Sequence, residues 1–381
     1  MNDIVVFGAT GFTGKLTAEY LAAALPEGAT WALAGRNRAK LEAVVADLDA
    51  AVAPELVEAD VTDPASLRAV AQSARVAITT VGPYLRHGDP LVAACAAAGT
   101  DYLDLTGEPE FVDRCYVRHH AAAEQSGARL VHACGFDSIP HDLGALFTVE
   151  QLPEGVPLKV EGFVRAGGTF SGGTYHSALT QFSRARQMIA AASERKKAEP
   201  GAAGGRRSRG IKGRPHREPA VNGWAVPLPT IDPQIVVRSG RALERYGPDF
   251  SYGHYAAVKR LPIALGGMAG VGALMGAAQI PPLRRQLEKL KSSGDGPSAE
   301  ERAKAWFTVT FVGEGGGQRV VCKGKGGDPG YGETAKMLAE SALCLAFDDL
   351  PETAGQVTTA QAMGDPLIAR LQTAGISFDV A

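Results

Sequence analysis

Cysteine is scarce in this chain. Its five residues (Cys95, Cys115, Cys134, Cys322 and Cys344) are scattered without C-x-x-C spacing. That pattern excludes a disulfide framework or cysteine zinc site, leaves no metal expected, and reads as reduced cytosolic thiols. A dominant charge is lacking too. Lys plus Arg number 39 against 41 Asp plus Glu, for a net −2 and a pI near 6.5, so nothing global points to nucleic acid. No basic-then-apolar leader opens the chain, because a core-type strand already starts at residue 3; the expectation is a cytoplasmic protein. No long-period repeat is visible. With 45% hydrophobic residues over 381 positions, there is enough chain for two domains with their own cores.

The opening is informative. The β-branched run Asp3-Ile4-Val5-Val6-Phe7 reads as a buried parallel strand. It enters Gly8-Ala9-Thr10-Gly11-Phe12-Thr13-Gly14, and Lys15 to Leu21 continues as a helix. The spacing is G-x-x-G-x-x-G, not the stricter G-x-G-x-x-G, and a glycine turn alone is a weak signal. Strand before and helix after make it a dinucleotide site, with phosphate on the helix N-terminus. The second strand, Thr30 to Gly35, lacks the terminal acid that an NAD-preferring domain presents to the ribose 2′-hydroxyl. Arg36-Asn37-Arg38-Ala39-Lys40 stands there instead. Guanidinium geometry matches a 2′-phosphate, so Arg36, Asn37 and Lys40 are assigned to NADP(H); the bland alternative is a solvated basic helix start.

Strand and helix patterns alternate through the first half, with strands expected at 3–8, 30–35, 55–60, 76–81, 101–105 and 129–133. This is an α/β pattern, a Rossmann-type doubly wound parallel sheet, with its ligand at the strands' carboxyl ends. Asp60 and Val61 close the third strand, where Asp60 is placed to bond the adenine amino group. Val81-Gly82-Pro83-Tyr84 closes the fourth, beside the expected nicotinamide ribose. Asp60 and Asp104 serve equally well as helix caps. After the sixth strand, Gly135-Phe136-Asp137-Ser138-Ile139-Pro140-His141 leads out of the first domain, and His141 is a titratable group near the expected cleft.

The expected domains are 1–145, a second α+β domain over 146–350, and a C-terminal segment, 351–381, packing back on the first. In the second domain the glycine-rich run from Gly167 to His176 is either a cofactor-facing loop or a flexible hairpin. Residues 306–311 and 318–323 read as an antiparallel hairpin, and 331–347 as a long helix. Residues 184–217, with eleven Lys or Arg, are expected to form a mobile basic loop. Residues 261–283 are uncharged, with five glycines and three prolines. Three readings stay open for them: a buried dimerisation or domain helix, a lipid-facing monotopic segment, or a membrane span. A homodimer would cover such a stretch.

Read together, the chain resembles the saccharopine dehydrogenase-like oxidoreductases, more narrowly the mycobacterial-type trans-acting enoyl reductases. The resemblance rests on Gly8 to Gly14, Ala34-Gly35-Arg36, Val81 to Tyr84, Tyr102 to Glu108, Gly135 to Pro140, Gly330 to Met337 and Ala362-Met363-Gly364-Asp365. It implies NADPH-dependent reduction of an α,β-unsaturated acyl thioester in polyketide or lipid biosynthesis. The substrate would be free or held on an acyl carrier protein; the basic loop lies outside the family pattern and its role stays open, docking of an acidic carrier being one reading. Peripheral plasma-membrane association is the companion expectation. The resemblance supplies no catalytic residue. From position, Tyr84 is chosen to orient substrate or bond the enolate oxygen, Tyr175 and His176 are second choices, and His141 is the candidate proton donor; each is equally at home as a packing residue. Two alternatives stand beside this: an imine-reducing saccharopine reductase, which demands a converging Arg/Lys cluster, and a non-catalytic NADPH-binding protein at a lipid surface.

Overall fold

The structure is a computed structural model that describes residues 1–167, 179–180, 183–288 and 296–381. Six strands and their crossover helices alternate through the first half. The strands are β1 (Asn2–Phe7), β2 (Trp31–Gly35), β3 (Glu55–Glu58), β4 (Ala74–Thr79), β5 (Asp101–Asp104) and β6 (Arg129–Val131). The helices are α1 (Phe12–Ala24), α2 (Arg38–Asp47), α3 (Pro64–Ser73), α4 (Tyr84–His87), α5 (Asp89–Ala98) and α6 (Pro109–Ser126). All the strands pair in parallel, in the order β6-β5-β4-β1-β2-β3. Helices cover both faces, so β2 is buried along its whole length, as an all-parallel sheet requires. Chain direction across the sheet reverses between β1 and β4, which places the ligand crevice there. Strand β6 stops at Val131, short of the expected 133, because Ala133 turns to φ +60°. Its N–H leaves the ladder and donates to Asp104 Oδ1 at 2.9 Å.

Helix α7 (Ile139–Glu150) carries the chain to a second, mixed sheet. Its strands are β7 (Leu158–Gly167), β8 (Arg207–Gly210), β9 (His216–Glu218), β10 (Gly223–Pro227), β11 (Asp249–Val258), β12 (Trp306–Gly315) and β13 (Gln318–Gly326). The order is β13-β12-β7-β11-β10-β9, with β8 against β11. Strands β12 and β13 form the antiparallel hairpin, turned at Gly316 and Gly317, both at positive φ, where only glycine is unstrained.

Residues 184–217 are not the mobile basic loop expected from composition. Residues 185–198 form helix α8 (Ala185–Ala198), packed on α6, and the rest supplies β8 and β9. Arg184 makes a bidentate pair with Glu110 at 2.7 and 2.8 Å. Arg195, 8% exposed, bridges Asp113 and Glu199 at 2.6 Å each. Glu110 and Asp113, more than seventy positions away, pair with these two cations, which composition along the chain does not register.

Helix α9 (Asp232–Ala242) precedes β11, and residues 261–288 form α10 (Leu261–Ala278) and α11 (Pro281–Glu288). Ile263, Ile280 and Leu283 of this pair are exposed in the chain. Among the described residues no helix is long and apolar enough to cross a membrane. A short α12 (Ala299–Lys304) leads into β12, and α13 (Gly332–Phe347) packs along α1, where Tyr20 donates to Glu340 at 2.6 Å. The C-terminal residues enter both sheets: β14 (Gly355–Val357) lies parallel to β6, and, after α14 (Thr359–Ala362) and α15 (Gly364–Thr373), β15 (Ser377–Val380) lies antiparallel to β13. Asp142 of α7 fastens this arrangement. Its buried carboxylate accepts from Ser239 at 2.5 Å, Thr359 at 2.7 Å and the Ala360 N–H at 2.8 Å. One apolar core runs from Ile4 and Leu33 to Phe307 and Phe311.

Candidate functional site

The three glycines of the first turn have three separate physical reasons. Gly8 sits at φ +91°, and a Cβ there would lie 2.7 Å from the Val81 side chain. Gly11 is exposed, and an added Cβ would meet only the Gly8 carbonyl, at 3.4 Å; that opening admits a ligand. Gly14 holds α1 against the turn, since its Cβ would fall 2.2 Å from Gly8 O. These are the tight turn, the close approach and the helix–strand contact of a dinucleotide motif. Gly11 caps α1 with no side-chain hydrogen bond, so the first amides are offered to an anion. Thr10 and Thr13 flank them. Phe12 is held edge-on against Tyr331 at 4.8 Å, with the Arg302 guanidinium 5.6 Å from its ring centre. Tyr331 and Arg302 belong to distant segments and were not legible in sequence.

At the tip of β2, Arg36 extends into solvent, 75% exposed, with Nε 3.8 Å from Asp60 Oδ2. Asp60 is occupied locally: its Oδ1 accepts from the Thr62 N–H at 2.8 Å and the Thr62 hydroxyl at 2.7 Å. Those two bonds, with a smaller contribution from Arg36, hold its carboxyl below the ordinary range. Its other oxygen faces Arg36, the side on which a ribose 2′-substituent belongs. Asn37 caps α2, accepting from the Lys40 N–H at 2.9 Å. Lys40 is exposed beside Arg36.

Beyond β4, the Thr80 hydroxyl donates to Gly8 O at 3.1 Å, tying the Val81-Gly82-Pro83 turn to the phosphate loop. Tyr84 differs from its expected role. It is 6% exposed; its hydroxyl donates to Thr79 O at 3.1 Å and accepts from the Leu105 N–H at 3.2 Å. Glu108 accepts from the backbone N–H groups of Tyr84 and Leu85 at 3.1 and 2.8 Å. Burial, then the charge of Asp104, pushes the phenol well above its ordinary range. Tyr84 is therefore a clamp between the ends of β4 and β5, not a hydroxyl free to meet an enolate. Asp104 anchors the same region, accepting from the Tyr102 hydroxyl at 3.0 Å and lying 2.6 Å from His132 Nδ1.

At the junction of the two sheets, His141 is buried rather than facing an open cleft, with Nδ1 2.7 Å from Asp232 Oδ1. His254 of β11 approaches the other oxygen of Asp232 at 3.4 Å. Neither Asp232 nor His254 carried a local signal: one is a helix start, the other lies in a strand. Asp137 is half-buried, and a Cβ on Gly107 would fall 2.9 Å from its Oδ2, so it spans the loops after β5 and β6. Burial first, then Asp232, pushes its carboxyl up to about 6, with His141 opposing. Phe136 packs edge-on at 4.9 Å against Phe307, which is buried in the core. Tyr175 and His176 lie outside the described residues.

A glycine-cradled helix end at the switch point, with a cation at the tip of β2, defines a two-domain NADP-dependent oxidoreductase. Comparison with known proteins agrees. Residues 4–131 match the saccharopine dehydrogenase NADP binding domain. A Mycobacterium tuberculosis protein, provisionally named a trans-acting enoyl reductase, is 40% identical over 99% of this chain and 96% of its own. A trans-acting enoyl reductase of Mycobacterium bovis is 36% identical over 98% and 96%. In fold, the chain is similar to the saccharopine dehydrogenase (L-Glu forming) of Saccharomyces cerevisiae, at a TM-score of 0.57 and 11% identity, over the whole of both chains. The chain belongs to the saccharopine dehydrogenase-like oxidoreductases, within the group of mycobacterial-type trans-acting enoyl reductases.

Proposed function

We propose that this oxidoreductase reduces the carbon–carbon double bond of an α,β-unsaturated acyl thioester made in polyketide or lipid synthesis. The carrying observation is the 40% identity that spans both sheets, the second included, to a relative named for that activity. Bound NADPH would supply a hydride to the β-carbon. The electron pair of the double bond would move onto the thioester oxygen as an enolate, which collapses as the α-carbon takes a proton from water, leaving hydroxide. With the Tyr84 hydroxyl committed to Thr79 and Leu105, the enolate oxygen falls to backbone N–H groups or to residues outside the described set.

The described cations support this reading over imine reduction. A saccharopine-type substrate carries several carboxylates and needs guanidinium groups that converge on it. Arg184, Arg195 and Arg241 instead pair with Glu110 and Asp113 of α6 and with Glu199, just past the end of α8. The test is NADPH consumption with crotonyl and longer 2-enoyl thioesters, free and carrier-bound, against 2-oxoglutarate with lysine. Turnover is expected with the enoyl thioesters. Turnover with the keto acid and amine alone would replace this reading by imine reduction, and none with either would leave an NADPH-binding protein.

A further inference from the structure

His141, Asp232 and His254 stand apart from the nucleotide loops and have no part in the reaction as written. They come from three elements: the first turn of α7, the first residue of α9 and the middle of β11. Their side chains are 2%, 3% and 1% exposed. One donor atom from each lies within 4.8 Å of the others.

The contacts inside this cluster are close. His141 Nδ1 is 2.7 Å from Asp232 Oδ1, and His254 Nε2 is 3.4 Å from Asp232 Oδ2. Yet His141 Nδ1, His141 Nε2, Asp232 Oδ1 and His254 Nε2 are all buried without an aligned hydrogen bond among the described residues. A buried polar atom without a partner costs about 1–3 kcal/mol, and such atoms are rare in native folds. His141 Nε2, outside both contacts, has none among the described residues, and a partner shared by the cluster would serve it. Two imidazoles and a carboxylate that converge within 4.8 Å are a donor set able to surround a cation. The surroundings fit as well. The Tyr252 hydroxyl lies 3.2 Å from His254 Nδ1, the ring nitrogen away from Asp232, where a second-shell group orients a ligating imidazole.

We propose that His141, Asp232 and His254 form a binding site for a divalent transition-metal cation, zinc first, which clips α7, α9 and β11 together at the junction of the sheets. Two imidazoles and a carboxylate suit zinc or its open-shell neighbours. Calcium and magnesium, which prefer all-oxygen sites, are disfavoured. Cysteine spacing gave no hint of this, because none of the three donors is a thiol. The depth of the site makes the ion structural: side chains this buried do not reach a substrate. Tetrahedral ligands about 2.0–2.1 Å from zinc stand about 3.3 Å apart, so binding widens the His141–Asp232 contact by roughly half an ångström.

The experiment uses the full chain, stripped of metal and then titrated with zinc and, separately, with cobalt(II). Wild type is expected to take up one equivalent of zinc, to melt at higher temperature when loaded, and to show the visible bands of four-coordinate cobalt. His254→Gln and Asp232→Asn keep side-chain volume. Each is expected to abolish the cobalt bands and weaken zinc by more than about 100-fold, beyond the usual effect of losing a second-shell partner. NADPH binding reports folding of each variant, and Tyr252→Phe, which keeps all three donors, backs them if either fails to fold, with an expected loss in zinc affinity of about tenfold or more. No uptake by wild type, or uptake that the substitutions leave unchanged, overturns the proposal. Neither result bears on enoyl reduction, which the thioester assay reads separately.

Discussion

Arg36→Ala tests the coenzyme site most directly. The guanidinium stands at the end of β2, 75% exposed, with Asp60 as its neighbour at 3.8 Å. A hydrogen bond to a charged partner contributes about 1.5–3 kcal/mol, and exposure places this one at the lower end. About 1.5 kcal/mol is roughly a tenfold change in Kd. Removing Arg36 also uncovers the Asp60 carboxylate, which Thr62 keeps ionised, and its repulsion of a 2′-phosphate adds to the loss. The expected outcome is NADPH binding weakened by about 10–30-fold, with NADH changed by less than about twofold. Fluorescence titration with both coenzymes at two ionic strengths measures it, and the NADPH loss should shrink as salt rises. Equal weakening of both coenzymes, or none, would refute the assignment of the 2′-phosphate to this side chain.

Three further outcomes follow from packing and charge. Gly14→Ala places a Cβ 2.2 Å from Gly8 O, a backbone atom with no freedom to move aside. The expected loss is about 3 kcal/mol of stability, the upper end for overpacking, together with NADPH affinity; thermal melting and coenzyme titration read both, and an unchanged melt contradicts the close approach. Tyr84→Phe strands Thr79 O and the Leu105 N–H, at about 1–3 kcal/mol for each buried orphan, while kcat at saturating NADPH stays within about twofold. A large loss of kcat with normal stability would return that hydroxyl to the chemistry. Glu150 is pushed from 4.5 up to about 7, by burial first and then by Asp365. The unfolded chain therefore releases this proton first, and the fold's advantage, complete below pH 4.5, is lost as pH rises to about 7. Glu150→Gln should flatten that decline and leave the variant about 1–2 kcal/mol more stable at pH 8, a figure discounted for partial exposure. Denaturant melts at pH 5 and pH 8 check the sign.

The legible parts of this protein are those encoded within one βαβ unit. Gly8, Gly11 and Gly14 lie within seven positions of one another and shape a single turn, so their spacing predicts strand, phosphate loop and helix. Arg36 was readable for the same reason: it ends the next strand, where an acid or a cation decides which ribose is accepted. The β12–β13 hairpin and the helix over 332–347 were equally local. Other residues misled because their partners are remote. Tyr84 read as a free hydroxyl at the end of a strand, and Leu105 takes it from the next strand along. The cations of 184–217 read as a solvated loop, and two of them, Arg184 and Arg195, are taken up by Glu110 and Asp113 of α6.

The chain's local pattern thus determined a parallel nucleotide-binding sheet and its preference for a phosphorylated coenzyme, because short apolar runs and glycine spacing act over a few residues. Only the tertiary structure decided which polar groups remain available. Asp142 meets Ala360 across 218 positions, Tyr20 meets Glu340 across 320, and His141 finds Asp232 and His254. Such contacts depend on how the two sheets pack, and no local periodicity records that.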